Sequence, residues 1–178
     1  MTDATTLLFA LPGFRVLQVH SEPDGGRRVL VETVAEQGWC PSCGVASRWV
    51  HERPTSRVKD LPHGPVALRV WVRKRWYRCA ETACERRSFT EVTGQLPARS
   101  RLTVRLRVLV ERAVTKTNGA MSEVADDHGV AWWTVHRILL AAVARELGAA
   151  APTPRIGIDE TRTRRVRGLL EEIGWRRQ

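Results

Sequence analysis

The chain has 178 residues, 43% of them hydrophobic, and carries 29 Lys and Arg against 19 Asp and Glu for a formal net charge of +10. That apolar share excludes a broadly disordered chain, and the lack of any run of eighteen apolar residues excludes a membrane-spanning helix. The positive surplus is mostly arginine, whose planar fork matches phosphate and guanine, so nucleic acid is the expected partner.

In chain order, the first elements are two Val- and Leu-rich segments, 14–20 and 27–34, separated by the turn formers Ser21-Glu-Pro-Asp-Gly-Gly26. They predict a β-hairpin. Two cysteine pairs follow, Cys40-Pro-Ser-Cys43 and Cys79-Ala-Glu-Thr-Ala-Cys84. Between them, residues 66–78 alternate, with Val66, Leu68, Val70, Val72 and Trp76 on one face and Arg69, Trp71, Arg73, Arg75 and Tyr77 on the other. This reads as one strand that delivers the chain to Cys79. Its basic face, Arg69, Arg73 and Arg75 around Trp71, is a candidate surface for tracking phosphates, with an ordinary solvated sheet face as the alternative.

The N-terminus lacks the basic region, apolar segment and small-residue cleavage site of an export signal, so a cytoplasmic location is expected. In a reducing compartment, two close cysteine pairs favour a metal over disulfides. Two short loops, each presenting two sulfurs, suit tetrahedral Zn²⁺, and the expected ligands are Cys40, Cys43, Cys79 and Cys84. His51 and His63 lie between the pairs and could replace one sulfur. Four protein ligands leave no open position, so the zinc is structural and its removal should unfold residues from about 36 to 92. Arg48, Arg78, Arg86 and Arg87 are near enough in sequence to offset the thiolate charge.

Beyond the cysteines, Leu102, Leu106, Leu109, Val110, Ala113 and Val114 recur at helical spacing over 101–116. A short helix follows, starting at Ser122 as N-cap and stopping at Gly129, and a third runs over 132–147. Residues 121–140 fit a helix-turn-helix. Val124 and the small Ala125 sit in its first helix, Gly129 and Val130 at the turn, Val135 and Ile138 in the second. That register places Trp132, Trp133, Thr134, His136 and Arg137 at the end of a recognition helix that meets base edges, with Arg137 and His136 as the preferred readers. One of the two tryptophans could equally pack into the core. The N-cap position ahead of this helix is Ala131, where Ser or Thr is expected.

The organisation this predicts is α+β: a hairpin segment over 1–36, a small β zinc ribbon over 37–95, and a three-helix helix-turn-helix domain over 96–147. A Pro- and Ala-rich linker over 148–154 leads to a last segment, 155–178, opened by the short strand Ile156-Gly-Ile158 and the acids Asp159 and Glu160. A poorly ordered tail, or a lone helix around 169–173, is expected there.

Trp39-Cys-Pro-Ser-Cys-Gly44, Asp60-Leu-Pro62, the Arg-rich strand, Phe89-Thr-Glu91, the helix-turn-helix and Ile156-Gly-Ile-Asp-Glu160 together resemble the start of an ISL-three family transposase. The resemblance implies a DNA-gripping region for transposon terminal inverted repeats, followed by an RNase H-like catalytic domain. It makes Asp159 the first of three acidic residues that would hold two Mg²⁺ ions for strand cleavage and transfer. Nineteen residues follow Asp159, and they supply no distant strand to carry the second and third, so the chain is expected to bind double-stranded DNA without cutting it. Such a truncated chain could occupy transposon ends and inhibit a complete enzyme. The expected protein partners are a second copy or a full-length transposase. A transcriptional regulator built from the same two modules is the alternative.

Overall fold

The computed structural model of the chain describes residues 3–64 and 66–147. By contacts the chain divides into two units, Met1–Glu146 and Leu147–Gln178. The geometry below is that of the first, and Asp159 with the 155–178 segment lies outside the described residues.

A short helix that the pattern did not predict, α1 (Ala4–Phe9), opens the fold, capped by Asp3, whose Oδ1 accepts the Thr6 N–H at 2.9 Å. The Thr6 hydroxyl oxygen in turn accepts the Val16 N–H at 2.9 Å, tying the helix to the first strand. Phe9 is its buried residue.

Strands β1 (Phe14–Ser21) and β2 (Arg27–Thr33) form the expected hairpin. The hairpin does not stand alone. β2 pairs in parallel with β7 (Leu68–Arg73), from Arg27 opposite Leu68 to Glu32 opposite Arg73, and β6 (Thr55–Val58) pairs antiparallel on the far side of β7. The sheet order is β1-β2-β7-β6. One face seals Phe9, Leu11, Phe14, Val29, Val31, Val58, Val70, Val72 and Leu96 into a core.

The alternation read over 66–78 holds only to Arg73. Lys74 and Arg75 interrupt it, with Lys74 N–H donating to the Pro54 carbonyl at 2.9 Å and Arg75 N–H to Glu91 Oε2 at 3.1 Å. The chain then re-enters β structure one step out of phase as β8 (Trp76–Arg78), in a different sheet. Tyr77, assigned by the alternation to the outer face, is therefore fully buried, while Trp76 is only half-buried.

The second sheet, β5 (Val50–Glu52), β8 and β9 (Ser88–Thr90), and the two-stranded ribbon of β3 (Gly38–Trp39) and β4 (Ala46–Ser47) make up the cysteine-bearing part. Its core is Cys40, Tyr77, Cys84 and Phe89, with the Tyr77 and Phe89 rings stacked 5.5 Å apart. Gly38 is required here because a Cβ would lie 2.6 Å from the Tyr77 ring.

Three helices complete the unit: α2 (Val104–Thr115), α3 (Met121–Asp127) and α4 (Trp132–Leu147). With α1 the described fold has four helices. Leu106, Val110, Val124, Ala125, Val130, Val135 and Ile138 close their core. α3 starts one residue before the predicted N-cap, since Ala120 occupies the cap with no side-chain bond and Ser122 lies inside the helix. Gly129 takes a φ of +58° at the turn, the left-handed conformation that suits glycine.

The helices are docked on the sheet through Asp60. Its side chain has no exposed surface; Oδ1 accepts from the Thr103 hydroxyl at 2.6 Å and from Arg105 Nε at 2.7 Å, and Oδ2 pairs with Arg105 Nη2. Thr103 is the N-cap of α2, and Arg105 Nη1 also donates to the carbonyls of Phe9 and Ala10. One carboxylate thus fixes the start of α2 against both the sheet and α1.

Candidate metal centre and nucleic-acid interface

Each cysteine pair sits on a tight turn. In the first, Cys40 N–H donates to the Val45 carbonyl at 3.0 Å and Gly44 N–H to the Cys40 carbonyl at 2.8 Å, with Gly44 at a φ of +73°. In the second, Cys79 N–H donates to the Arg87 carbonyl at 2.9 Å and Ala83 N–H to Glu81 Oε1 at 2.9 Å. Arg86 crosses between the two turns, its Nε donating to Ser42 Oγ at 2.9 Å.

This brings Cys40, Cys43, Cys79 and Cys84 together, with all four sulfurs within 4.8 Å of one another. Cys40 Sγ lies 3.9 Å from Cys84 Sγ and Cys43 Sγ lies 3.6 Å from Cys79 Sγ. A tetrahedron with Zn–S bonds of about 2.3 Å has sulfur edges of about 3.8 Å, so the set fits zinc. His51 packs edge-on to Trp76 at 5.5 Å and His63 lies 6.2 Å from the Phe9 ring, and neither belongs to the cluster.

The sulfurs differ electrostatically. The Cys43 amide, aided by that of Ser42, holds the Cys40 thiol down to about 6, whereas burial pushes Cys79 up to about 12 and raises Cys84 as well. Thiols bind a metal as thiolates, so a divalent cation entering this cluster would displace their protons. The bound metal would join two turns some forty residues apart and would serve structure only.

On α4, the face carrying Val135, Ile138 and Ala142 is buried. The first turn presents the opposite character. Trp132 is 40% exposed and Trp133 66% exposed, so neither tryptophan enters the core. Trp132 stacks on His136 at 5.1 Å with planes 10° apart, and Trp133 meets both rings edge-on. Arg137 is exposed, its Nε donating to the Trp133 carbonyl at 3.4 Å, and Thr134 is half-buried. The aromatic, cationic and hydroxyl groups singled out in the sequence therefore share one end of one helix.

The arginines of the basic strand face meet carboxylates of this chain. Arg69 forms a two-pronged pair with Asp24, and Arg73 donates to Glu32 Oε2 at 3.3 Å. Arg75 is buried: Nη1 donates to Thr33 Oγ1 at 2.7 Å and to the Ala35 carbonyl, and the guanidinium lies 3.5 Å from Glu91 and 3.9 Å from Glu32. Glu32, 2% exposed, also receives Arg15 at 3.1 Å and Arg53 at 3.0 Å. Arg73 and Arg75 thus neutralise buried carboxylates, whereas the partner of Arg69, Asp24, is exposed. Nothing in the sequence marked Glu32 or Glu91 as their partners, since both are distant along the chain.

Two family models match the chain. Residues 36–84 match the zinc-finger of transposase IS204/IS1001/IS1096/IS1165, and residues 90–143 match the helix-turn-helix domain of transposase family ISL3. No curated protein and no solved structure matches it. Among the described residues no helix is long and apolar enough to cross a membrane.

Proposed function

The chain belongs to the ISL3 transposases through their N-terminal region, ribbon and helix-turn-helix alike, and on that footing we propose that it binds the terminal inverted repeats of its element in a sequence-specific way. The reading rests on the first turn of α4, where Trp132, Trp133, His136 and Arg137 stay out of the core while Val135, Ile138 and Ala142 are buried. A helix that enters the major groove contacts base edges from this end. Arg137 is the best base reader, since a guanidinium can take guanine O6 and N7 together. Trp132 holds the His136 ring in place beside it, and the zinc ribbon acts as scaffold.

Fluorescence anisotropy with a duplex of the inverted repeat and a scrambled duplex tests this. The repeat should bind more tightly, and Arg137→Ala should cost about 1–3 kcal/mol on the repeat while leaving the scrambled duplex nearly unchanged. Equal affinity of the unaltered chain for the two duplexes would refute sequence-specific binding.

A further inference from the structure

With Arg69, Arg73 and Arg75 paired to carboxylates, other described cations beside α4 come from the edge of the sheet and the segment before α2. Strand β6 is an edge of the four-stranded sheet and presents Arg57 to solvent. Just after it, Lys59 N–H donates to the Arg101 carbonyl at 2.8 Å, the Lys59 carbonyl accepts from Thr103 N–H at 3.0 Å, and the Lys59 ammonium donates to the Gly129 carbonyl at the helix-turn-helix turn. These bonds draw the sheet edge, the segment before α2 and the start of α4 around one groove of about 470 Å³. Its lining includes Arg57, Lys59 and Arg101 together with Val130, Ala131 and Thr134.

Two features give the groove its chemistry. Arg57 and Arg101 are exposed, and among the described residues neither has an ion-pair partner. No acidic side chain lines this groove, whereas the neighbouring one, which shares Arg57 and Lys59, also carries the exposed Asp126 and Asp127. A polyanion is drawn to the first in preference to the second, where the two aspartates offset the two cations.

We propose that this groove is a phosphate-backbone clamp, through which the phosphodiester strand beside the major groove occupied by α4 passes, with Arg57 and Arg101 each neutralising a phosphate. Lys59, held at the turn, keeps the two arginines in register with Thr134 on the recognition helix. The inference deepens the DNA-binding reading of α4 and rests on it. The clamp adds affinity and orientation and carries no sequence information, because every phosphate is alike.

The test is the salt dependence of binding by the full zinc-loaded chain to the inverted-repeat and scrambled duplexes, from about 50 to 200 mM salt. Each lost phosphate contact lowers the slope of log K against log salt by about 0.9, so Arg57→Ala with Arg101→Ala should flatten it by about 1.8, equally on both duplexes. The ratio of the two affinities should not move. Arg27→Ala with Arg28→Ala removes the same formal charge at the hairpin and should flatten the slope far less. Arg57→Gln with Arg101→Gln, which keeps the apolar stems, should repeat the loss, so a folding defect of the alanine variant does not blunt the test. A slope like that of the unaltered chain, or an equal drop in the hairpin variant, overturns the clamp. Failure of the unaltered chain to prefer the repeat would overturn the reading beneath it.

Discussion

The four-stranded sheet seals nine side chains between Phe9 and Leu96, whereas the cysteine ribbon buries four, two of them cysteines. One stretch of chain serves both, running through β7 in the first sheet and β8 in the second with Lys74 and Arg75 as the joint. The first sheet has the apolar area to hold itself. In the ribbon, Tyr77 and Phe89 are the only large buried side chains, and sulfur ligation supplies the rest. Two β structures a few residues apart thus rest on different physics, and perturbations that separate them follow.

The largest separation comes from the metal. Structural zinc contributes on the order of 10 kcal/mol to folding, so chelation, or Cys40→Ser, should open β3, β4, β5, β8 and β9. Residues 36–92 as a whole are too wide a span, because β6 and β7 pair inside the sheet that keeps its own core. Segment-resolved hydrogen exchange checks this: the ribbon should lose protection while β1, β2, β7 and β6 retain it. Loss of all protection together would mean that the two sheets form one cooperative unit.

Arg75→Ala should do the opposite. It removes the cation between Glu32 and Glu91, two carboxylates that are 2% and 4% exposed, and breaking a buried pair costs about 3–5 kcal/mol. Because Glu32 belongs to one sheet and Glu91 adjoins the other, both should weaken together with zinc still bound. Urea unfolding with metal content measured in parallel would show it; a change confined to the ribbon would count against Arg75 as the joint.

How far the sequence disclosed all this depends on whether a residue's partner is near in sequence or far. Gly129, Val124, Ala125, Val130, Val135 and Ile138 could be assigned because a helix-turn-helix closes within twenty residues, and each of those apolar side chains is in the helical core. The four cysteines were legible because metal geometry leaves few ways to arrange them. The parallel pairing of β2 with β7 was not, since it joins segments some forty residues apart and parallel pairing leaves no turn signature. Helix α1 lacked an amphipathic period, with Leu7 and Leu8 exposed and Phe9 alone buried. Arg75 was misread because its alternation with Arg73 suggested a shared face, while the break at Lys74 and Arg75 that buries it depends on Glu91 and Pro54.

The smallest effect expected is on acid stability, and it isolates the polar support of the first sheet. Burial pushes the Glu32 carboxyl up, but the hydrogen bonds and charges of Arg15, Arg73 and Arg75 outweigh it and hold the group below its ordinary value of 4.5. A depressed folded-state value means that the carboxylate stabilises the fold above pH 4.5, and that this contribution fades as pH falls through the lower folded-state value. Glu32→Gln should therefore be less stable than the unaltered chain at pH 7, with the gap closing as the pH drops below 4.5. Taking the difference between the two urea midpoints cancels acids elsewhere, Asp24 among them, which Arg69 holds at about 2. A gap that stays constant down to acid would show that Glu32 supports the sheet through packing alone, and the charge-based half of the contrast with the ribbon would fall.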